Sequence, residues 1–138
     1  MHIVGIDVGL RNLALCCIDD ETGAIVHWNV LDVLKDKKAK SVSIEKSVEL
    51  LLEELKTLPW LCALEDGDQV AIEAQPVGRA ATGNVRMKCV SHAIQSFVHL
   101  QTKAGCCFVN PKTKVGVEML GEYIDCSDAQ GDENTKKR

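Results

Sequence analysis

The sequence predicts an α/β domain with the element order βββ-α-β-α-β, on three observations. An aliphatic, β-branched opening is broken by two short turn signals; two helical patterns follow; and each helix is succeeded by a short strand-like run.

The first strand lies in "HIVGID". "DVGLRN" turns the chain into a second, "LALCCID", which stops at the turn-forming "DDETG". "AIVHWNVLDV" has the β-branched and aromatic content of a third strand, so residues 1–34 read as an antiparallel meander with short connections. The charged connector "KDKKAKS" leads to Ile44, Val48, Leu51, Leu52, Leu55 and Leu58 at helical spacing. This predicts a core-packing helix ended by Pro59, with Glu45, Glu49, Glu53 and Glu54 on its wet face. "GDQVAIEAQP" supplies a strand over 69–74, closed by Pro76 and parallel to the first because a helix intervenes. Val90, Ala93, Ile94, Phe97 and Leu100 mark one face of a helix over roughly 84–103, with Gly105 as its C-cap. "CCFVN" is a final strand ended by Pro111; "KTKVGVEMLGEYI" reads as a short helix or an irregular turn, and "DCSDAQGDENTKKR" as a loose polar tail.

At 138 residues and 46% hydrophobic, the chain supports one core, hence one domain over 1–124 followed by the tail 125–138. No stretch approaches the roughly 18 apolar residues of a membrane span, and the N-terminus lacks a secretory pattern, so a soluble, intracellular protein is expected. Seven cysteines without Cys-x-x-Cys spacing read as reduced, buried, inert thiols. The net charge of −4 hides an uneven distribution, because no acid occurs between Glu73 and Glu118. The same window holds Arg79, Arg86, Lys88, Lys103, Lys112 and Lys114, a surface suited to a polyanion. His92 and His99 read as surface residues, and Trp28 and Trp60 as core or partly covered; 4% aromatic content argues against a stacking platform for single-stranded bases.

Two acids stand out. Asp7 interrupts an apolar run, with Gly5 and Gly9 as same-face neighbours leaving an open floor around it. Glu73 repeats the pattern inside "VAIEA". A carboxylate buried in such a run is paired, neutralised or metal-bound. A salt bridge to Arg11 or to a buried lysine is one possibility; a shared hard cation, Mg²⁺ or Mn²⁺, is the other, since no His or Cys cluster supports zinc.

These residues resemble the Holliday junction resolvases of the RuvC-like group within the ribonuclease H-like superfamily, closest in look to those of poxviruses and other large DNA viruses. "GIDVGLRNLALC" matches that group's first-strand motif and "AIEAQP" its second acidic motif. "GNVRMKCVSHAIQSF" looks like the following helix and "FVNPKTKV" like the final strand with its downstream lysine, in the right order over residues 3–115. The resemblance implies a five-stranded mixed sheet flanked by helices, and a Mg²⁺-dependent homodimeric endonuclease acting on four-way DNA junctions, with Mn²⁺ able to substitute. It implies that Asp7 and Glu73 ligate metal and that Lys114, or Lys112, stabilises charge on the scissile phosphate. Arg79, Arg86 and Lys88 lie where the group contacts the DNA backbone, and Arg11 and Lys112 join them as candidate DNA contacts. "DCSDA" has the spelling of the group's last acidic pair, making Asp125 and Asp128 candidate metal ligands. They follow the final strand closely, so the expectation is a truncated chain whose last acidic helix is missing. A non-catalytic module binding branched DNA is the alternative. An actin-like ATPase, whose phosphate hairpin starts similarly, would need a second domain.

Overall fold

The computed structural model describes residues 1–35, 37–75 and 82–110, with side chains from Val85 onward in the last segment. The sheet comprises β1 (His2–Asp7), β2 (Leu13–Asp19), β3 (Ile25–Leu31), β4 (Gln69–Glu73) and β5 (Gly105–Val109), in the order β3-β2-β1-β4-β5. β1, β2 and β3 pair antiparallel, while β1–β4 and β4–β5 are parallel. The helices are α1 (Ile44–Lys56), α2 (Pro59–Cys62) and α3 (Thr82–Gln101). This is the expected mixed five-stranded α/β sheet.

Local chemistry fixes the connections. In the β2–β3 turn the Asp19 carboxylate accepts from the Thr22 N–H and hydroxyl, both at 2.8 Å, while Gly23 supplies the left-handed φ of 70°. Ser43 caps α1, its hydroxyl accepting from the Lys46 N–H at 3.1 Å. The helix ends at Lys56, before Pro59, which instead opens α2, where its missing N–H is harmless.

Alternation along the strands sends Val4, Ile6, Leu13, Leu15, Cys17, Val70 and Ile72 to one face, where all are buried with Leu51 and Leu55 of α1 and Val90 and Ile94 of α3. Each such aliphatic residue contributes about 1.5–3 kcal/mol of burial. α2 adds a clamp at the β3 edge: Trp60 stacks on His27 at 4.9 Å and donates its indole N–H to Asn29 Oδ1 at 3.1 Å. No described helix covers the opposite face.

That asymmetry corrects several expectations. Trp28 is on the uncovered face and 61% exposed, so it is no core residue. Leu100 is likewise solvent-facing, and Val98 completes the buried face of α3. On α1, Ser47 and Leu50 are buried while Val48 and Leu52 lie at the margin; Ser47 is tolerated because its hydroxyl donates to the Ser43 carbonyl at 2.8 Å. Cys17 is the buried thiol among the described cysteines, raised above its usual value by burial, whereas Cys107 is exposed. The boundary at 124 and the tail 125–138 lie outside the described residues.

Candidate functional site

Asp7 and Glu73 each terminate a strand, β1 and β4, and these strands are adjacent and parallel. Ile6 pairs with Ile72, so Asp7 and Glu73 occupy the next row, on neighbouring strands spaced by about 4.8 Å. Both project from the uncovered face. On their other sides stand Ala14, opposite Asp7, and Val109, opposite Glu73. A cleft of about 430 Å³ opens here, with Gly5, Ala14, Cys16 and Ala71 as a low floor and Trp28 and Asn110 at its margins.

The apolar burial expected for Asp7 is not found. Asp7 is exposed and Glu73 half-buried, because strand alternation delivers them to the face that α1 and α3 leave open. The reason to expect a cation is therefore proximity of two carboxylates rather than desolvation. Nor does Arg11 pair with Asp7: its guanidinium lies on Asp32 Oδ2 at 2.9 Å and also donates to the Lys37 carbonyl. Partial burial pushes the Asp32 carboxyl up, but Arg11 and the N–H groups of Leu34 and Lys35 outweigh it, leaving a net pKa below the ordinary value.

The two glycines beside Asp7 prove different. A Cβ on Gly5 would meet nothing within 4 Å, so this residue is an open floor. A Cβ on Gly9 would come within 2.8 Å of the Asn12 carbonyl oxygen, so Gly9 serves the β1–β2 turn.

The donor set, two carboxylates with the Asn110 amide at the margin, is all oxygen or amide and fits a hard cation such as Mg²⁺. Cys16 lies beside Gly5, a same-face step away from the acids. Among the described residues, no cluster of three or more His, Cys, Asp or Glu side chains could hold a metal. The other candidates are dispersed. Arg86, on α3, donates to the Ala39 carbonyl, and Lys88 is half-buried on the same helix. Arg79, Lys112, Lys114, Asp125 and Asp128 lie outside the described residues. Asn110 and Trp28 line the cleft without having been singled out as site residues; the place of Asn110 at the strand end inside "FVNPKTKV", next to Pro111, is the signal in the sequence that could have found it.

A larger depression, about 520 Å³, lies at the opposite end of the sheet around Asp68. Its carboxylate is already committed, accepting from the His2 N–H at 2.7 Å and the Glu65 N–H at 2.9 Å. It ties β1 to the entry of β4 and has a structural role.

The sequence matches no family model and no curated protein. Solved structures do match. RuvC of Thermus thermophilus in complex with a Holliday junction substrate superposes with a TM-score of 0.56 at 17% identity, covering 81% of this chain and 66% of that one. A second structure of Thermus thermophilus RuvC gives a TM-score of 0.57 at 18% identity, covering 80% and 64%. The chain thus spans about two thirds of the RuvC length, and no described helix is long and apolar enough to cross a membrane. A mixed sheet in the order β3-β2-β1-β4-β5 with helices packed on one face is the architecture behind these matches: the chain has the ribonuclease H-like fold of RuvC.

Proposed function

We propose that this protein is a Mg²⁺-dependent endonuclease that resolves four-way DNA junctions by phosphodiester hydrolysis, working as a homodimer of the type found in large DNA viruses. The observation that carries the reading is the placement of Asp7 and Glu73 in one row, on adjacent parallel strands, above an open glycine floor. The resemblance of the fold to RuvC bound to a junction supports the choice of substrate.

In this reading Asp7 and Glu73 hold the metal; Asp125 and Asp128 are the candidates the resemblance offers for further ligands, unless the last acidic helix is missing from this chain. When bound, the ions supply Lewis-acid chemistry, activating the attacking water and neutralising the departing 3′ oxygen. The protein does the positioning. Gly5 keeps the floor low enough for a phosphodiester to approach the acids, and Lys114, or Lys112, balances charge building on the scissile phosphate. Arg79 and Lys88 contact the DNA backbone and fix its register without reading sequence. Arg11 and Arg86 act at the same end of the sheet.

The test is cleavage of an end-labelled four-way junction by the full chain with Mg²⁺ or Mn²⁺. Paired nicks in opposing strands are expected, and Asp7→Asn or Glu73→Gln should slow them by about 100–1000-fold. Tight junction binding without cleavage by either metal would reject the enzyme and leave a branched-DNA-binding module. Neither binding nor cleavage would reject both.

A further inference from the structure

Residues 37–41 belong to a lysine-rich connector by sequence, yet the structure holds them firmly. Val33 and Leu34 on one flank are fully buried and Val42 on the other is 6% exposed, so both ends are anchored in the core. The Asp32 carboxylate accepts from the N–H groups of Leu34 and Lys35 at 3.0 and 3.1 Å. Ser41 closes a 3-10 turn, its hydroxyl donating to the Lys38 carbonyl at 2.7 Å. Two arginines from distant elements complete the fastening: Arg11 of the β1–β2 turn donates to the Lys37 carbonyl and Arg86 of α3 to the Ala39 carbonyl.

The charges produced are unbalanced among the described residues. Arg11 is offset by Asp32, and Lys35 by Glu54, which raises the Lys35 pKa through a direct hydrogen bond. Lys37, Lys38 and Lys40 are exposed and make no ion pair among the described residues. Arg86 adds a guanidinium on the same loop, and it too makes no ion pair among the described residues, so the local charge is positive and favours a polyanion. The whole assembly stands at the end of the sheet where β1 and β4 terminate in Asp7 and Glu73: β1 ends there, and the β1–β2 turn, the exit of β3 and the start of α3 all meet there.

We propose that Lys37, Lys38 and Lys40 form a preorganised phosphate-contacting edge for one duplex arm of the DNA, and that Arg11 and Arg86 present this edge by bonding its backbone. The assignment deepens the nuclease reading and rests on it. The lysines supply point charges along a phosphate strand. Fixing the loop beforehand removes the ordering cost that a mobile lysine-rich connector would incur on binding.

The experiment measures binding of a fluorescent four-way junction to the full chain by anisotropy across a NaCl series without Mg²⁺. Each phosphate contact contributes about −0.9 to the slope of log K against log salt, so the Lys37→Ala, Lys38→Ala, Lys40→Ala triple variant should be shallower by about 2.7. A triple Lys→Gln variant should lose the same amount. A control carrying Lys46→Ala, whose ammonium is already paired with Glu49 at 2.7 Å, should keep the wild-type slope. With Mg²⁺, the triple variant should raise KM and leave kcat unchanged. A steep wild-type slope that the triple variant preserves overturns the loop assignment and leaves the role of Asp7 and Glu73 intact. A wild-type chain that binds no junction overturns the nuclease reading and the loop assignment with it.

Discussion

Replacing Gly5 separates folding from function. The residue sits mid-strand, paired with Cys16 and Ala71, and a Cβ added to it would find nothing within 4 Å. Gly→Ala here removes unfolded-state freedom without a clash, so stability should rise by about 0.5–1 kcal/mol. For a chain of this size that corresponds to about 1–4 °C in Tm. Gly5→Leu should also fold, because the added side chain points away from the core. It stands one same-face step from Asp7, about 6.6 Å along the strand, and fills the floor that a phosphodiester must cross. A displacement of about 1 Å at the reacting atoms costs about 100-fold in rate. Thermal melts followed by circular dichroism, together with single-turnover junction cleavage, read the two effects. Gly5→Leu that melts at or above the wild-type temperature and cuts about 100-fold more slowly is the expected outcome. Undiminished cutting by Gly5→Leu would refute the idea that substrate crosses this floor, and a large fall in Tm for Gly5→Ala would refute its openness.

Gly9 should behave oppositely: Gly9→Ala forces its Cβ against the Asn12 carbonyl and should cost about 1–3 kcal/mol in urea unfolding, with a neutral result contradicting the turn assignment. Asp68 gives an acid-limb prediction. Burial pushes its carboxyl up, but the N–H groups of Glu65 and His2 and the His2 imidazole pull it further down, so the folded pKa lies below the unfolded value near 3.9. Its stabilisation is therefore complete above about pH 4 and is lost as pH falls through the lower folded value. Asp68→Asn should flatten stability against pH in that window, and an unchanged acid limb would contradict the assignment. Thiol labelling at neutral pH should modify Cys107 quickly and Cys17 only on unfolding, since Cys17 is 1% exposed and its thiol is pushed up by burial; early labelling of Cys17 would contradict the packing of β2.

The strand and helix order is legible in the sequence because each element carries its own periodicity: the aliphatic runs of β1 and β2, the leucines of α1, and the face Val90, Ile94 and Phe97 of α3. Both acids are legible for the same reason, as charges that break an apolar strand pattern. What the pattern does not convey is which sheet face a helix covers, since alternation marks two faces without naming the packed one. The apolar runs around Asp7 and Trp28 therefore suggest enclosure, and both residues are exposed. The distinction between Gly5 and Gly9 depends on where the Asn12 carbonyl turns back, a feature of the hairpin rather than of composition. The lysine-rich connector looks like a solvated spacer because its fastenings come from far along the chain: Arg11 and Arg86 are 26 and 47 residues from the carbonyls they hold.

Shared coordination of one divalent cation by Asp7 and Glu73 is read out at the ligands themselves by Mn²⁺ titration followed by amide NMR line broadening. Selective broadening at Asp7, Val8, Glu73 and Ala74 is the predicted result, abolished by Asp7→Asn and equally by Glu73→Gln. Broadening centred elsewhere, or surviving both substitutions, would contradict it.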